Sequence, residues 1–153
     1  VGTSSVLTYF DQYAGTWSGY LFADVYDLCE GPDYVYAATG NGAYRLDGST
    51  PTLLSPGFTT AILARKTEDK VEVWSVTRGV VMRDFAKVNP QPPVVVSCLD
   101  EDIAGGVWCG KYRWDGASWS VPEGLETVNV VQVSASTEGR VYFLSDSGVL
   151  SRW

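Results

Sequence analysis

Apolar positions along this chain fall in short runs, rich in valine and aromatic residues and bounded by Gly, Pro, Asn or Asp, and four segments repeat the same order of them. They are VYDLCEGPDYVYAATGNGAYRLDG from Val25, AILARKTEDKVEVWSVTRGVVMRD from Ala61, VSCLDEDIAGGVWCGKYRWDG from Val96 and VQVSASTEGRVYFLSDSGVLSRW from Val131. Each reads as a strand, an acidic or glycine turn, a second strand, a glycine and a third strand. The second strand carries an aromatic residue at Tyr36, Trp74, Trp108 and Tyr142, at intervals of 38, 34 and 34 residues. A glycine follows at Gly42, Gly79, Gly110 and Gly148, and an arginine within four residues of it at Arg45, Arg83, Arg113 and Arg152. No run offers a long helical stripe, and Pro or Gly interrupts every candidate, so helix content is predicted to be negligible. Asn41-Gly42 and Ser147-Gly148 predict tight hairpins, because glycine reaches the positive φ that such turns need.

An antiparallel unit of about 35 residues cannot bury both of its faces alone, so its copies must stack face to face. Radial stacking gives a propeller. The expectation is an all-β fold: a single β-propeller domain over residues 1–153 with about four antiparallel blades. The repeats run approximately over 22–58, 59–93, 94–127, and 128–153 together with 1–21. The nearly continuous apolar stretches at Val94 to Val96 and Val128 to Val133 read as inner strands. SSVLTYFDQYAGTW at the start resembles SGVLSRW at the end, with Val6 and Val149 separated by 143 residues, and Trp17 matches Trp119 at a distance of 102. The first 20 or so residues therefore read as the outer strands of a blade. A third strand is then present at both ends, which leaves open a ring closed by the N-terminal strands and a partial ring completed by other copies or by further sequence.

Composition narrows the chemistry. A formal charge of −7 disfavours phosphate backbones and anionic lipid surfaces, and no apolar run reaches the length of a membrane span. The start, VGTSSVLTYF, has neither the basic nor the long apolar region of a signal peptide, so the chain is expected to be soluble, with no nucleic-acid partner and no membrane insertion. There is no histidine, which removes Ser-His-Asp, Cys-His and His-based zinc sites. The acids at Asp100, Glu101 and Asp102 and at Glu68 and Asp69 are placed in solvated turns rather than in a paired-carboxylate site. No enzyme activity, cofactor or metal is expected. Three cysteines leave at least one unpaired within the chain; Cys98 and Cys109 flank a short turn and are candidates for a cross-strand disulfide or for two buried thiols.

The repeated aromatics Tyr36, Trp74, Trp108 and Tyr142 are assigned to packing between blades. The outer aromatics Trp17, Tyr112, Trp114, Trp119 and Trp153 are the candidate stacking platforms for a sugar ring. Arg45, Arg113 and Arg152 are candidate hydroxyl or carboxylate donors beside them; the alternative pairs the repeated arginines with Asp47, Asp84 or Asp115 at a blade edge.

The segment WSVPEGLETVNVVQVSASTEGRVYFLSDSGVLSRW is similar to the tectonin repeat, with its Trp, Pro-Gly-like turn, Val/Ser-rich strand, acidic-Gly turn and aromatic strand ending in Arg or Trp. Units such as GAYRLDG also resemble the sensor propellers of bacterial two-component regulators. The tectonin resemblance implies a carbohydrate-binding lectin with weak repeated sites between or on blades, which would gain avidity on multivalent glycans or glycoproteins. It also favours an extracellular or particle-surface location. The alternative is a protein-interaction or structural assembly module, part of a larger particle or a homo-oligomer completing a larger ring.

Overall fold

The structure is a computed structural model that describes residues 4–11, 14–48, 50–94 and 97–153. Its described residues form strands, turns and bends, with no helix. A hairpin of β1 (Ser4–Asp11) and β2 (Thr16–Ala23) comes first. Four antiparallel meanders follow. The first sheet comprises β3 (Val25–Glu30), β4 (Val35–Thr39), β5 (Gly42–Leu46) and β6 (Thr52–Pro56). The second comprises β7 (Thr59–Lys66), β8 (Val71–Thr77), β9 (Val80–Arg83) and β10 (Ala86–Lys87). The third is β11 (Leu99–Glu101), β12 (Val107–Cys109), β13 (Tyr112–Trp114) and β14 (Trp119–Ser120). The fourth has β15 (Val130–Ala135), β16 (Val141–Ser145) and β17 (Leu150–Arg152).

The repeat seen in the sequence is a register in the structure. Tyr36 lies opposite Arg45, Trp74 opposite Arg83, Trp108 opposite Arg113, and Tyr142 opposite Arg152, each pair spanning the second and third strands of its sheet. Cross-strand partners share a face, so every sheet points its aromatic and its arginine the same way. The turns between these strands use glycine in two ways. Gly79, Gly110 and Gly148 sit in the turn at φ of 71°, 58° and 82°, where a side chain would be strained. Gly42 does not: the turn falls one residue earlier, and Gly42 opens β5 because a Cβ there would come within 2.6 Å of Leu53 and of the Ser55 carbonyl.

Because side chains alternate across a strand, each sheet has two apolar faces, and the sheets stack in chain order with a core in each gap. Tyr36, Ala38 and Ala43 of the first sheet meet Ile62, Ala64 and Val73 of the second. Ala61, Leu63, Trp74, Val76 and Val81 of the second meet Val107, Cys109 and Trp114 of the third. Cys98 and Trp108 of the third meet Val133, Val141 and Phe143 of the fourth. The inner strands β3, β7, β11 and β15 also bond across the gaps. Asp27 Oδ2 accepts the Ile62 amide at 2.9 Å, Cys29 Sγ the Ala64 amide at 3.2 Å, and Asp100 Oδ2 the Ala135 amide at 2.7 Å, each 35 residues on. Burial, with the nearby Asp100 charge adding to it, pushes the Asp27 carboxyl up, against the pull of the Ile62 and Leu28 amides.

The stack is open at both ends. Among the described residues, β15 to β17 pack on the third sheet and make no extended contact with β3 to β6 or with the β1–β2 hairpin. The hairpin instead sits beside the first sheet, with Phe22 against Tyr44 at 5.0 Å between ring centroids and the Tyr20 hydroxyl donating to the Gly48 carbonyl.

Register decides the cysteine reading in favour of two buried thiols, and one expectation about the acids is corrected. Leu99 pairs with Cys109, so Cys98 falls one position out, on the opposite face of the third sheet. Cys98 lines the gap toward the fourth sheet and Cys109 the gap toward the second; no disulfide joins them, and burial pushes the Cys98 thiol up. The acids of residues 100–102 are not solvated turn residues either, since Asp102 is 7% exposed and Asp100 is spent on the inter-sheet bond.

Candidate functional site

Arg83 and Arg113 are held by carboxylates that start the second strand of their sheet or precede it. Asp102 Oδ2 accepts Arg113 Nε at 2.6 Å and the Trp108 indole N–H at 2.9 Å, while Oδ1 accepts Arg113 Nη2 at 3.1 Å and the amides of Ala104 and Gly106. Burial pushes this carboxyl up, but Arg113, the Gly106 amide and the indole outweigh it and hold it below the ordinary range. Glu72, with no exposed surface, does the same in the second sheet. Its Oε1 accepts Arg65 Nε at 2.7 Å and Trp74 Nε1 at 2.5 Å, and its Oε2 accepts Arg83 Nε at 2.5 Å. Here too burial raises the carboxyl and its donors, Trp74 and Arg65 foremost, bring it below the usual value. Arg65 continues across the gap to Glu101 at 2.9 Å and to the Gly105 carbonyl at 2.6 Å, tying the second sheet to the third. In the first sheet Arg45 pairs with Asp47 and lies 4.7 Å from the Tyr34 ring centroid.

The expected partners thus hold for Arg45 alone. Asp84 pairs with Lys70 and accepts the Val73 amide; Asp115 caps its own turn through the Ala117 and Ser118 amides. Glu72 and Asp102 were missed because their partner arginines lie 11 residues further on, across a turn.

The outer aromatics are placed differently from one another. Tyr112 and Trp114 are buried, 9% and 6% exposed, and Trp114 with the half-buried Trp119 packs around Trp74 in the core. Trp119 also donates its indole N–H to the Pro90 carbonyl at 2.9 Å. Trp114 and Trp119 are therefore inter-sheet packing, and Tyr112 is buried beside a small pocket lined with Val94, Lys111, Asn129 and Val130. Arg113 is spent on Asp102. Arg152 is exposed, and Trp153 is 53% exposed while resting edge-on against Trp108. The Trp17 side chain lies outside the described residues. No three candidate residues converge on one pocket, and among the described residues no group of three or more metal-ligating side chains occurs.

Two of the clefts open among the described residues border the first sheet. One, of about 420 Å³, lies between the first and second sheets at their first loops, lined by Pro32, Asp33 and residues 66–71; the charged side chains of Lys66, Glu68, Asp69 and Lys70 dominate it. The other, of about 410 Å³, separates the β1–β2 hairpin from the first sheet. Leu7 and Thr8 of β1, Tyr20 of β2, and Leu28, Val35 and Leu46 of the first sheet line it, with Gly48 at its edge. It is the more apolar of the two, as a binding cleft tends to be. Its signal in the sequence is the valine one residue before each repeated aromatic: Val35, Val73, Val107 and Val141. Three of the four are buried in gaps between sheets, and Val35 alone faces the cleft.

No family model matches the sequence, and no curated protein matches it. Among solved structures, the chain is similar to the extracellular domain of a putative hybrid two-component system from B. thetaiotaomicron, with a TM-score of 0.69 and 15% identity over 99% of this chain and 25% of that one. The chain therefore shares its fold with part of that domain and spans about a quarter of its length.

Proposed function

We propose that this chain is a non-catalytic interaction and sensing module of the β-propeller class, its sheets serving as blades, and that it works outside the cell. The observation that carries the reading is the fold it shares with the extracellular domain of a two-component sensor, which agrees with the regulator-like GAYRLDG unit of the first repeat. Its chemistry points the same way. The chain has no histidine, and its best-placed carboxylates, Glu72 and Asp102, are held ionised by indole and guanidinium donors, which suits girders and not general acids. A net charge of −7 turns away nucleic acid and anionic membranes, leaving proteins, peptides or small ligands as partners.

Glycan binding of the tectonin kind is the second reading, and Trp153 with the adjacent exposed Arg152 is what favours it. A glycan array and a displayed-peptide library probed with one preparation separate the two. The interaction reading expects convergent peptide binders and a silent array. Convergent sugar binding that is lost in Trp153→Ala would replace it with the lectin.

A further inference from the structure

The repeat of the sheets is its own control for residues that the fold does not need. In three sheets the residue just before the inner strand accepts, through its main-chain carbonyl, an amide from the turn between the second and third strands. Asp24 accepts Gly40 at 2.9 Å, Phe58 accepts Arg78 at 2.8 Å, and Asn129 accepts Asp146 at 3.0 Å. The bond uses backbone alone, and the first and fourth sheets place polar or small residues at both ends of it. The second sheet instead places a phenylalanine that is 46% exposed and an exposed arginine. Arg78 also strains its backbone. With Gly79 it fills a two-residue loop between the paired Thr77 and Val80, at φ of 53° and 71°. That is a type I′ turn, whose first place suits Asn, Asp or Gly, because the Cβ of a longer side chain crowds the following carbonyl there.

A third residue stands beside these two. The inner strands β3, β7 and β15 each have a bulge at their second residue, Tyr26, Thr60 and Val131, and a bulge re-aims the side chain it carries. Val131 is 45% exposed although the third sheet packs on its own, so exposure at this place comes from the bulge. Tyr26 is 47% exposed and meets the Phe58 ring edge-on, with centroids 5.0 Å apart and planes at 69°. The Arg78 guanidinium lies against Gly57, the residue before Phe58, so closely that a Cβ on Gly57 would stand 2.7 Å from its Nε. Gly57 is pinned as well. Its amide donates to the Asn41 carbonyl at 3.0 Å, its carbonyl accepts the Thr59 hydroxyl at 2.8 Å, and its φ of 116° favours glycine. The result is a fixed corner of two aromatic rings with a guanidinium one residue away. Arg45, Arg65, Arg83, Arg113 and Arg140 are all paired with carboxylates, whereas Arg78 makes no ion pair among the described residues.

We propose that Tyr26, Phe58 and Arg78 form a docking site for a peptide segment of a partner protein that carries a carboxylate within one residue of an apolar side chain. Charge selects this occupant. In a chain of net charge −7, an exposed and unpaired guanidinium draws an anion, and it does so beside the ring corner that takes the apolar group. Aromatic anchors with an arginine are the residues that dominate protein interfaces. The pinned Gly57 loop loses little freedom on binding, which favours affinity from a small patch. The carboxylate is the peptide's C-terminus or an acidic side chain, since a guanidinium takes either through paired N–H donors. The inference rests on the interaction reading and fails separately from it: partner binding that is indifferent to Arg78 leaves that reading standing and removes this site.

The test follows the amide resonances of the isotope-labelled full chain by NMR during titration with three short acetylated peptides. They are Gly-Ser-Gly-Phe with a free C-terminus, the same peptide amidated, and Gly-Asp-Phe-Gly amidated. Saturable shifts at Gly57, Phe58 and Arg78 are expected with the first or the third, and at least tenfold weaker binding with the second. Whichever of the two binds identifies the source of the carboxylate. Arg78→Asn, which suits the positive φ, and Phe58→Ala should each weaken binding at least tenfold. Arg152→Gln, at another exposed arginine without an ion pair among the described residues, should leave it within twofold. An unchanged amide spectrum away from the patch shows that each variant is folded. Shifts that persist in Arg78→Asn, equal binding of the amidated control, or no saturable shift with either carboxylate peptide would overturn the proposal. So would saturation by a uronic-acid oligosaccharide in place of the peptides, because the site would then serve glycan recognition.

Discussion

Replacing Glu72 by glutamine tests whether the buried acid, indole and arginine cluster holds the second sheet together. The substitution keeps the shape of the side chain and removes its charge. Glutamine offers one oxygen to donors that now share two, and its amide nitrogen points a hydrogen at a guanidinium that is itself a donor. Removing one member of a buried ion pair costs about 3–5 kcal/mol. Arg83 is 44% exposed and so recovers part of its hydration, which places the expected loss near the lower end, at about 3 kcal/mol. For a domain of this size that corresponds to a melting point lower by about 6–12 °C. Urea titration followed by tryptophan fluorescence reads the loss directly. The pH dependence has a fixed sign. The folded Glu72 carboxyl lies below its ordinary value, so the stability it contributes is complete above the unfolded value and is lost as the pH falls through the folded one. The gap between wild type and Glu72→Gln should therefore be full at pH 7 and shrink in acid. A loss under about 1 kcal/mol at pH 7, less than one charge-assisted hydrogen bond contributes, would refute the reasoning.

Trp108→Ala, which empties a fully buried site between Phe143 and Trp153, should cost about 3–5 kcal/mol in the same urea assay, and a smaller loss than Trp153→Ala would mean that the third gap is not packed as described. Asp102→Asn should destabilise in the manner of Glu72→Gln, with a gap that also closes in acid, while Asp115→Asn, on an exposed turn, should unfold at the same urea concentration as wild type. Cys98 and Cys109 should resist iodoacetamide in the native protein and, with Cys29, give three adducts by mass after unfolding without reductant; a single adduct would restore the disulfide.

The spacing of Tyr36, Trp74, Trp108 and Tyr142 and of the arginines that follow them was enough to place the strands, because one period written in three residue types fixes register as well as element. Sequence failed where one residue of register or one turn of backbone decided the outcome. Equal spacing from the turn between residues 101 and 106 suggested that Cys98 faces Cys109, whereas the register pairs Leu99 with Cys109 and puts the two cysteines on opposite faces. Tyr112 and Trp114 looked like outer-strand aromatics open to solvent, but β13 is only three residues long, both are buried, and Trp114 joins the core between the second and third sheets. The cleft at Leu28 and Val35 was hidden for another reason. Nothing about a valine in a repeat says whether its neighbouring sheet is there to cover it, and only the stacking order reveals that Val35 is the one without cover.

Alanine substitution of the four equivalent valines, one at a time and at low protein concentration, tests the open stack most directly. Val73→Ala, Val107→Ala and Val141→Ala each remove buried methyl groups and should each cost about 2 kcal/mol of unfolding free energy. Val35→Ala should cost less than about 1 kcal/mol, since its side chain already meets water. A Val35→Ala loss equal to the other three would contradict the account, because it would mean that another sheet already covers this face and that the stack is closed.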